Sequence, residues 1–187
     1  MWKAPDLMPA RRLVAASGTK GMTVTVWTAP DFWIPAAREA VSTLERLGYR
    51  ARLRVTRNWG AYGAAIGREK TSGLQAGMAG YYGVPRTPAS LLTTLTCNSI
   101  RPGKQNLNPS FLCDRKVDAE IARTQKIQIT NPYAAVGRWA RIENQLVDLA
   151  PWVPLFTPWS GDLVSQRVGN YQYNPAWGIL LDQLWVR

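Results

Sequence analysis

Apolar and polar residues at the start of the chain alternate between helix-like and strand-like spacing. Asp6 and Gly18 bound a segment whose apolar residues recur every three or four positions, which predicts a capped helix. Residues 22–28, MTVTVWT, alternate and are rich in β-branched side chains, so they predict a strand. A second helix is predicted between Asp31, as its cap, and Gly48, just after its end.

A second strand, at residues 49–56, follows this helix directly. A strand, a helix and a strand within about 35 residues form one crossover, which favours parallel pairing in an α/β layer. The arginines of this strand, Arg50, Arg52 and Arg54, alternate with Ala51, Leu53 and Val55. The alternation predicts one solvated basic face and one apolar face.

The remainder of the chain is predicted to be mainly helical up to residue 150 and extended after it. A run of small residues suits a third, crowded strand, and proline and asparagine mark helix starts. In chain order the predictions are a short helix or loop at 58–70, a strand at 74–82, helices at 87–95, 117–130 and 132–149, and strands at 152–157, 162–168 and 178–186.

The composition of the 187 residues suits one globular domain, or one domain with a dependent extension. The formal charge of +11 is compatible with a basic nucleic-acid-binding module, and the many aromatic residues are the second ingredient of such a module. However, no Lys/Arg run exceeds two residues, and the tryptophans cluster in the near-neutral C-terminal third. Nucleic-acid binding is therefore the alternative hypothesis, and no nucleic-acid partner is expected.

Missing residue types exclude several chemistries. The chain has no histidine, so histidine-based catalysis and the commonest zinc ligands are absent. There is no P-loop, no GxGxxG and no defensible pair of acids. We therefore expect no enzyme activity, no cofactor and no metal. The first residues also lack the apolar run of a signal peptide, and no apolar run approaches membrane-spanning length.

Cys97 and Cys113, the two cysteines of the chain, enclose a polar loop of fifteen residues. This spacing is compatible with free buried thiols or with a disulfide, and a disulfide is the natural interpretation if the protein works outside the cytosol. Closing a loop of this size would stabilise the fold by about 3 kcal/mol in the chain-entropy model.

Eight stretches of the sequence, taken in order, resemble one family. They are ARRLVAASGTKGMTVTVW, LERLGYRARLR, AYGAAIG, QAGMAGYY, LTTLTC, FLCDRKVDAEI, GRWARIENQLVDLAPWVPLF and VSQRVGNYQYNPAWGILLDQLWVR. Together they resemble the C-terminal part of the family 5 extracellular solute-binding proteins, in an actinobacterial-like form. These are the dipeptide/oligopeptide-binding components of ABC importers. The resemblance implies an α/β fold: the second lobe of a type II periplasmic-binding-protein-like fold, with a mixed sheet flanked by helices.

The resemblance also implies that the chain consists of two structural parts. Residues 1–150 correspond to the second lobe, and residues 151–187 to a return segment that packs on a first lobe not contained in this sequence. The implied partners are a peptide or other small solute, an ABC permease through a full-length parent, and the missing first lobe. The implied location is extracytoplasmic, at the cell surface. Without a first lobe, we expect self-association, or poor order of the last thirty-odd residues.

Ligand-contacting residues follow from one family motif, GW-x-x-D-Y-P-x-P, which corresponds here to GYYGVPRTP. The resemblance assigns Tyr81 or Tyr82 as the aromatic platform, with only one of the two facing the cleft if both lie on a strand. The motif's acid is absent, and Arg86 would suit a carboxylate instead. Asn106 and Asn108 resemble asparagines of the family's loop before the second cysteine. An anionic or neutral solute therefore competes with a peptide as the expected ligand.

Overall fold

The structure, a computed structural model, describes residues 6–67, 74–80, 87–101, 106–156, 161–174 and 177–187. The chain forms two compact units. The first contains Met1–Gly80 and Pro102–Asn106, and the second contains Tyr81–Arg101 and Leu107–Arg187.

The first unit is built on a three-stranded sheet in the order β2-β1-β3. Its elements are α1 (Leu7–Ala16), β1 (Thr23–Thr28), α2 (Ile34–Leu47), β2 (Arg50–Val55), α3 (Trp59–Ile66) and β3 (Ala76–Gly77). Strand β1 is central and pairs in parallel with both neighbours, so that Val26 lies opposite Leu53 on one side and Ala76 on the other. The predicted parallel crossover is confirmed.

Local hydrogen bonds explain where the helices of this unit begin and end. The Asp6 carboxylate accepts from the Met8 amide at 2.9 Å, as a helix cap does. Gly48, with φ of 105°, ends α2 in the left-handed conformation that glycine adopts without strain. Asn58 caps α3 by accepting from Ala61 N at 2.8 Å. The Asp31 carboxylate accepts a hydrogen bond from the Trp33 amide in the turn before α2. The helix itself begins three residues after this predicted cap.

The two faces of the sheet are covered by different helices. Val26 is buried on one face together with Trp33 and Ala37, where the apolar side of α2 packs. Trp27, the next residue of β1, is buried on the other face with Tyr62 of α3. The unit is therefore doubly wound, because the connection after β1 crosses one face and the connection after β2 crosses the opposite face.

The basic face predicted for β2 is present. Arg50, Arg52 and Arg54 are exposed, and the intervening Ala51 and Leu53 are half-buried. Val55 departs from the alternation because it is also exposed, at the end of the strand. The Arg54 guanidinium lies 4.1 Å from the centre of the Trp27 ring, in a cation–π arrangement.

The second unit is organised by a helical hairpin. Its helices are α4 (Pro88–Leu92), α5 (Arg115–Thr130) and α6 (Pro132–Leu149), with 3-10 turns at Thr93–Leu95, Cys97–Ser99 and Leu181–Gln183. Apolar residues from α4, α5 and α6 share one core that includes Leu92, Ile121, Trp139, Ile142 and Leu146. The predicted amphipathic helices are confirmed, and α5 begins two residues earlier because Asp114 caps it through the amides of Lys116 and Val117.

The extended segments at the C-terminus differ from the prediction. Residues 152–156 and 161–167 contain no strand, and the only ladders in the described part of this region are two residues long. They are β4 (Val168–Gly169) with β7 (Trp185–Val186), and β5 (Tyr173–Asn174) with β6 (Gly178–Ile179), both antiparallel. Strand β3 is also shorter than predicted. An extended sequence becomes a longer strand only where a neighbour supplies hydrogen-bonding partners, which sequence pattern does not reveal.

Replacing Gly77 by Ala should destabilise the first unit. A Cβ atom at this position would lie 2.6 Å from the hydroxyl of Tyr62, which is buried beneath the sheet. The phenol would have to move, so we expect the free energy of unfolding to fall by about 1–3 kcal/mol in urea denaturation.

Gly63→Ala is the matched control. Gly63 is an exposed residue of α3, and an added methyl group there meets no atom within 4 Å. Alanine is the better helix former, so this variant should be up to about 1 kcal/mol more stable. Equal unfolding midpoints for the two variants would contradict the close packing of Gly77 on Tyr62.

Candidate ligand-binding site

The strand order β2-β1-β3 reverses at β1, and such a reversal is typical of sheets with a crevice at one edge. Strand β2 lies on one side of β1, and the next strand along the chain, β3, lies on the other side of β1. In open α/β sheets, ligands bind outside the carboxyl ends of strands at such a reversal. Here this edge is formed by residues 29–33, which follow β1, and residues 78–80, which follow β3.

A buried hydrogen bond holds the end of β3 in place. The Tyr62 hydroxyl of α3 donates to the main-chain carbonyl of Met78, the first residue after β3. Burial raises the pKa of Tyr62 above its ordinary value, so the phenol stays neutral and remains a donor. The bond ties α3 to the sheet immediately before the chain enters residues 81–86.

The loop after β1 adds an acid and an exposed aromatic ring to this edge. Asp31 is half-buried, and its negative charge contributes to the raised pKa of Tyr62. Phe32 is 57% exposed, with its ring centre 4.8 Å from that of Trp33. In the part of the chain that the structure describes, no Lys or Arg forms an ion pair with Asp31. Local spacing predicts only a helix cap at Asp31, but the position of this residue directly after a predicted strand is also a signal for the site.

Three of the predicted ligand contacts, Tyr81, Tyr82 and Arg86, lie outside the described residues. Their roles stay predictions. The described residues on their N-terminal side end at Gly80, three positions beyond β3.

The two predicted asparagines are described. Asn106 is half-buried, whereas Asn108 is completely buried. The Asn108 amide donates to the carbonyls of Thr96, at 3.2 Å, and Leu112, at 2.9 Å. Its oxygen accepts from the Ser110 hydroxyl at 2.7 Å. Asn108 thus connects the two ends of the cysteine loop, and direct contact with a ligand stays a prediction for both asparagines.

Cys97 and Cys113 form a disulfide, with Cα atoms 4.5 Å apart. The alternative of free thiols is therefore excluded. The Asp118 carboxylate of α5 accepts from the Cys97 amide at 3.3 Å. The disulfide, Asn108 and Asp118 together connect the loop to the start of α5.

No group of three or more His, Cys, Asp and Glu residues in the described part of the chain is arranged to hold a metal ion. No helix in the described ranges has both the length and the apolar character needed to cross a membrane.

Comparisons with known proteins identify the fold. No family model and no curated protein sequence matches the chain. Among solved structures, clavulanic acid biosynthesis oligopeptide binding protein 2 is similar over 97% of this chain, with a TM-score of 0.85 and 22% identity. DppA from Helicobacter pylori, bound to the peptide STSA, has a TM-score of 0.70 with 20% identity over 80% of this chain. A Pseudoalteromonas sp. SM9913 dipeptide-binding protein, bound to Met-Leu, has a TM-score of 0.74 with 16% identity over 97%.

The chain spans about a third of these proteins: 34% of the first, 28% of the second and 36% of the third. It has the α/β fold of part of a type II periplasmic binding protein, as predicted. The three neighbours are themselves peptide-binding proteins.

Asn108→Ala should destabilise the cysteine loop. It would leave the buried carbonyls of Thr96 and Leu112 without their amide donor. We expect a loss of about 1–3 kcal/mol in the free energy of unfolding, measured in urea with the disulfide intact.

The control is Asn98→Ala, in the same loop region, because Asn98 is exposed. Its stability should stay within about 0.5 kcal/mol of the unchanged chain. If Asn108→Ala were equally neutral, its hydrogen bonds would not be what holds the loop.

Proposed function

We propose that the chain provides one wall of a solute-binding cleft in a two-lobed extracytoplasmic protein that serves an ABC importer. The observation that supports this best is the reversal of strand order at β1, in a fold shared with proteins bound to peptides. Such a reversal leaves a crevice at the carboxyl edge of the sheet, where a small ligand can meet main-chain groups and side chains from two loops.

The residues at this edge favour a peptide over a purely anionic solute. No Asp or Glu occurs between Lys70 and Cys113, and this absence taken alone favours an anionic ligand. Asp31 supplies a carboxylate from the other loop of the crevice and has no ion-pair partner within the described ranges. In our proposal Asp31 attracts the ammonium of a peptide. The roles expected from the sequence for Arg86, with a carboxylate, and for Tyr81 or Tyr82, in stacking, stay separate predictions.

Transport would require the remainder of the two-lobed protein. In the proposed mechanism the ligand bridges two lobes, which close by a hinge, and the closed form docks on the permease. A single wall cannot enclose a ligand, so we expect the 187-residue chain alone to bind weakly.

Peptide binding can be tested on the chain by ¹⁵N NMR, which detects millimolar affinity. Met-Leu should shift the amides of Phe32 and Met78 in the crevice. N-acetyl-Met-Leu, which lacks the ammonium, should bind about tenfold more weakly because its attraction to Asp31 is lost. Asp31→Asn should reduce binding of Met-Leu similarly and leave binding of the acetylated peptide unchanged.

Glu39→Gln serves as the charge-matched control, because Glu39 is an exposed acid of α2 and lies beyond the loop after β1. It should leave both affinities unchanged. Absence of shifts at the crevice would refute the proposed function. Equal binding of both peptides would refute the role of Asp31 alone.

The C-terminal segment has exposed apolar residues that suit a missing partner surface. They are Val153 (77% exposed), Leu163 (104%), Trp177 (82%), Leu181 (73%) and Val186 (67%). We propose that a first lobe covers this segment, and that a second copy covers it when no first lobe is present.

The chain should therefore self-associate, or show weak hydrogen-exchange protection after residue 150. Replacing Leu163, Trp177 and Leu181 by Ser should give a monomer in multi-angle light scattering. Ile129, Tyr133 and Val136, which are 83%, 91% and 64% exposed, offer a matched triple Ser control outside the segment that should not change association. A monodisperse unchanged monomer whose last residues are protected from exchange would contradict the proposal.

A further inference from the structure

A polar cavity lies on the α5–α6 hairpin of the second unit. It has a volume of about 340 Å³ and is lined by Glu120, Arg138, Arg141, Ile142 and Gln145. Arg138, Arg141 and Gln145 are spaced three and four residues apart, so they follow one face of α6. Ile142 is 2% exposed and belongs to the core, so the cavity has an apolar base beneath polar walls.

The charges lining this cavity are unbalanced. Glu120 is engaged, because it accepts a hydrogen bond from the Arg123 guanidinium at 2.9 Å. Arg138 and Arg141 make no ion pair or hydrogen bond in the described portion of the chain. Arg138 is half-buried and Arg141 is exposed.

We propose that this cavity binds a small monocarboxylate through Arg138 and Arg141. Two guanidinium groups present planar pairs of N–H donors that match the oxygens of a carboxylate. Gln145 adds an amide donor, and Ile142 offers contact to the apolar body of the ligand. Inorganic phosphate has no apolar body to contact Ile142, so it should bind more weakly than a carboxylate that carries a ring or a short chain.

The volume sets an upper bound on the ligand. Pockets for small molecules begin at about 300 Å³, so the cavity suits a compound with a single ring or a short chain. The lining residues of this cavity differ from the residues at the sheet edge, and the proposal does not depend on the proposed function. A ligand should bind to this cavity whether the crevice at the sheet edge is empty or occupied.

Benzoate is a suitable probe, and benzamide is its neutral counterpart with nearly the same shape. The ¹⁵N-labelled chain is titrated with each at constant ionic strength, and the Nε–Hε signals of Arg138 and Arg141 are followed. We expect benzoate to shift both signals along one saturable curve, and benzamide and inorganic phosphate to bind at least about tenfold more weakly.

The double variant Arg138→Gln/Arg141→Gln should weaken benzoate binding by about tenfold or more, followed through amide signals of α6. Arg12→Gln/Arg52→Gln removes the same charge from exposed positions of the first unit and should leave the affinity within about twofold. Arg141→Gln alone, at an exposed position, provides a milder variant if the double variant fails to fold.

Three outcomes would overturn the proposal. The first is no benzoate-dependent shift of the two arginine signals up to about 10 mM. The second is equal affinity for benzamide or phosphate, which would remove the carboxylate specificity. The third is an equal loss of affinity in the two double variants, which would reduce the effect to net charge. Unchanged binding of benzoate when Met-Leu is present would confirm that the two sites are independent.

Discussion

Strand β1 is the element on which the first unit depends, because it is hydrogen-bonded along both edges and covered on both faces. Consecutive residues of this strand, Val26 and Trp27, are buried on opposite faces, under α2 and against α3. A strand in this position cannot shift by one residue without exposing both side chains and unpairing both ladders. The same constraint creates the crevice, since β1 is where the strand order reverses.

The polar groups of the two units differ in how many of their hydrogen bonds are made within the fold. Tyr62 and Asn108 are buried donors that bond the carbonyls of Met78 and Thr96, sixteen and twelve residues away, and their removal would leave these carbonyls unsatisfied. Among the described residues, Asp31 accepts only the local Trp33 amide, and Arg138 and Arg141 make no hydrogen bond or ion pair. Groups of the second kind retain capacity for a ligand, which is why both proposed sites are built on them.

Secondary structure was predictable where its cause is local. The helix that ends at Gly48 and the α5–α6 hairpin follow from caps and amphipathic spacing within the segments themselves. The predicted strands after residue 150 failed because pairing is a property of two segments, and in the described residues only two-residue ladders form. Asp31 was recognised as a helix-start residue, but its place at the edge of the sheet depends on where β3 lies.

Taken alone, the sequence determined the α/β class, the parallel crossover, the presence of the longer helices and the resemblance to solute-binding proteins, because these depend on spacing along the chain. It left open whether the two cysteines are free thiols or a disulfide. The expected ligand contacts came from resemblance to a family motif. Only the tertiary structure decided that Cys97 and Cys113 are bonded, that Asn108 is enclosed, and that Arg138 and Arg141 line one cavity. The reason is physical: burial, pairing and unbalanced charge arise from segments that meet only when the chain folds.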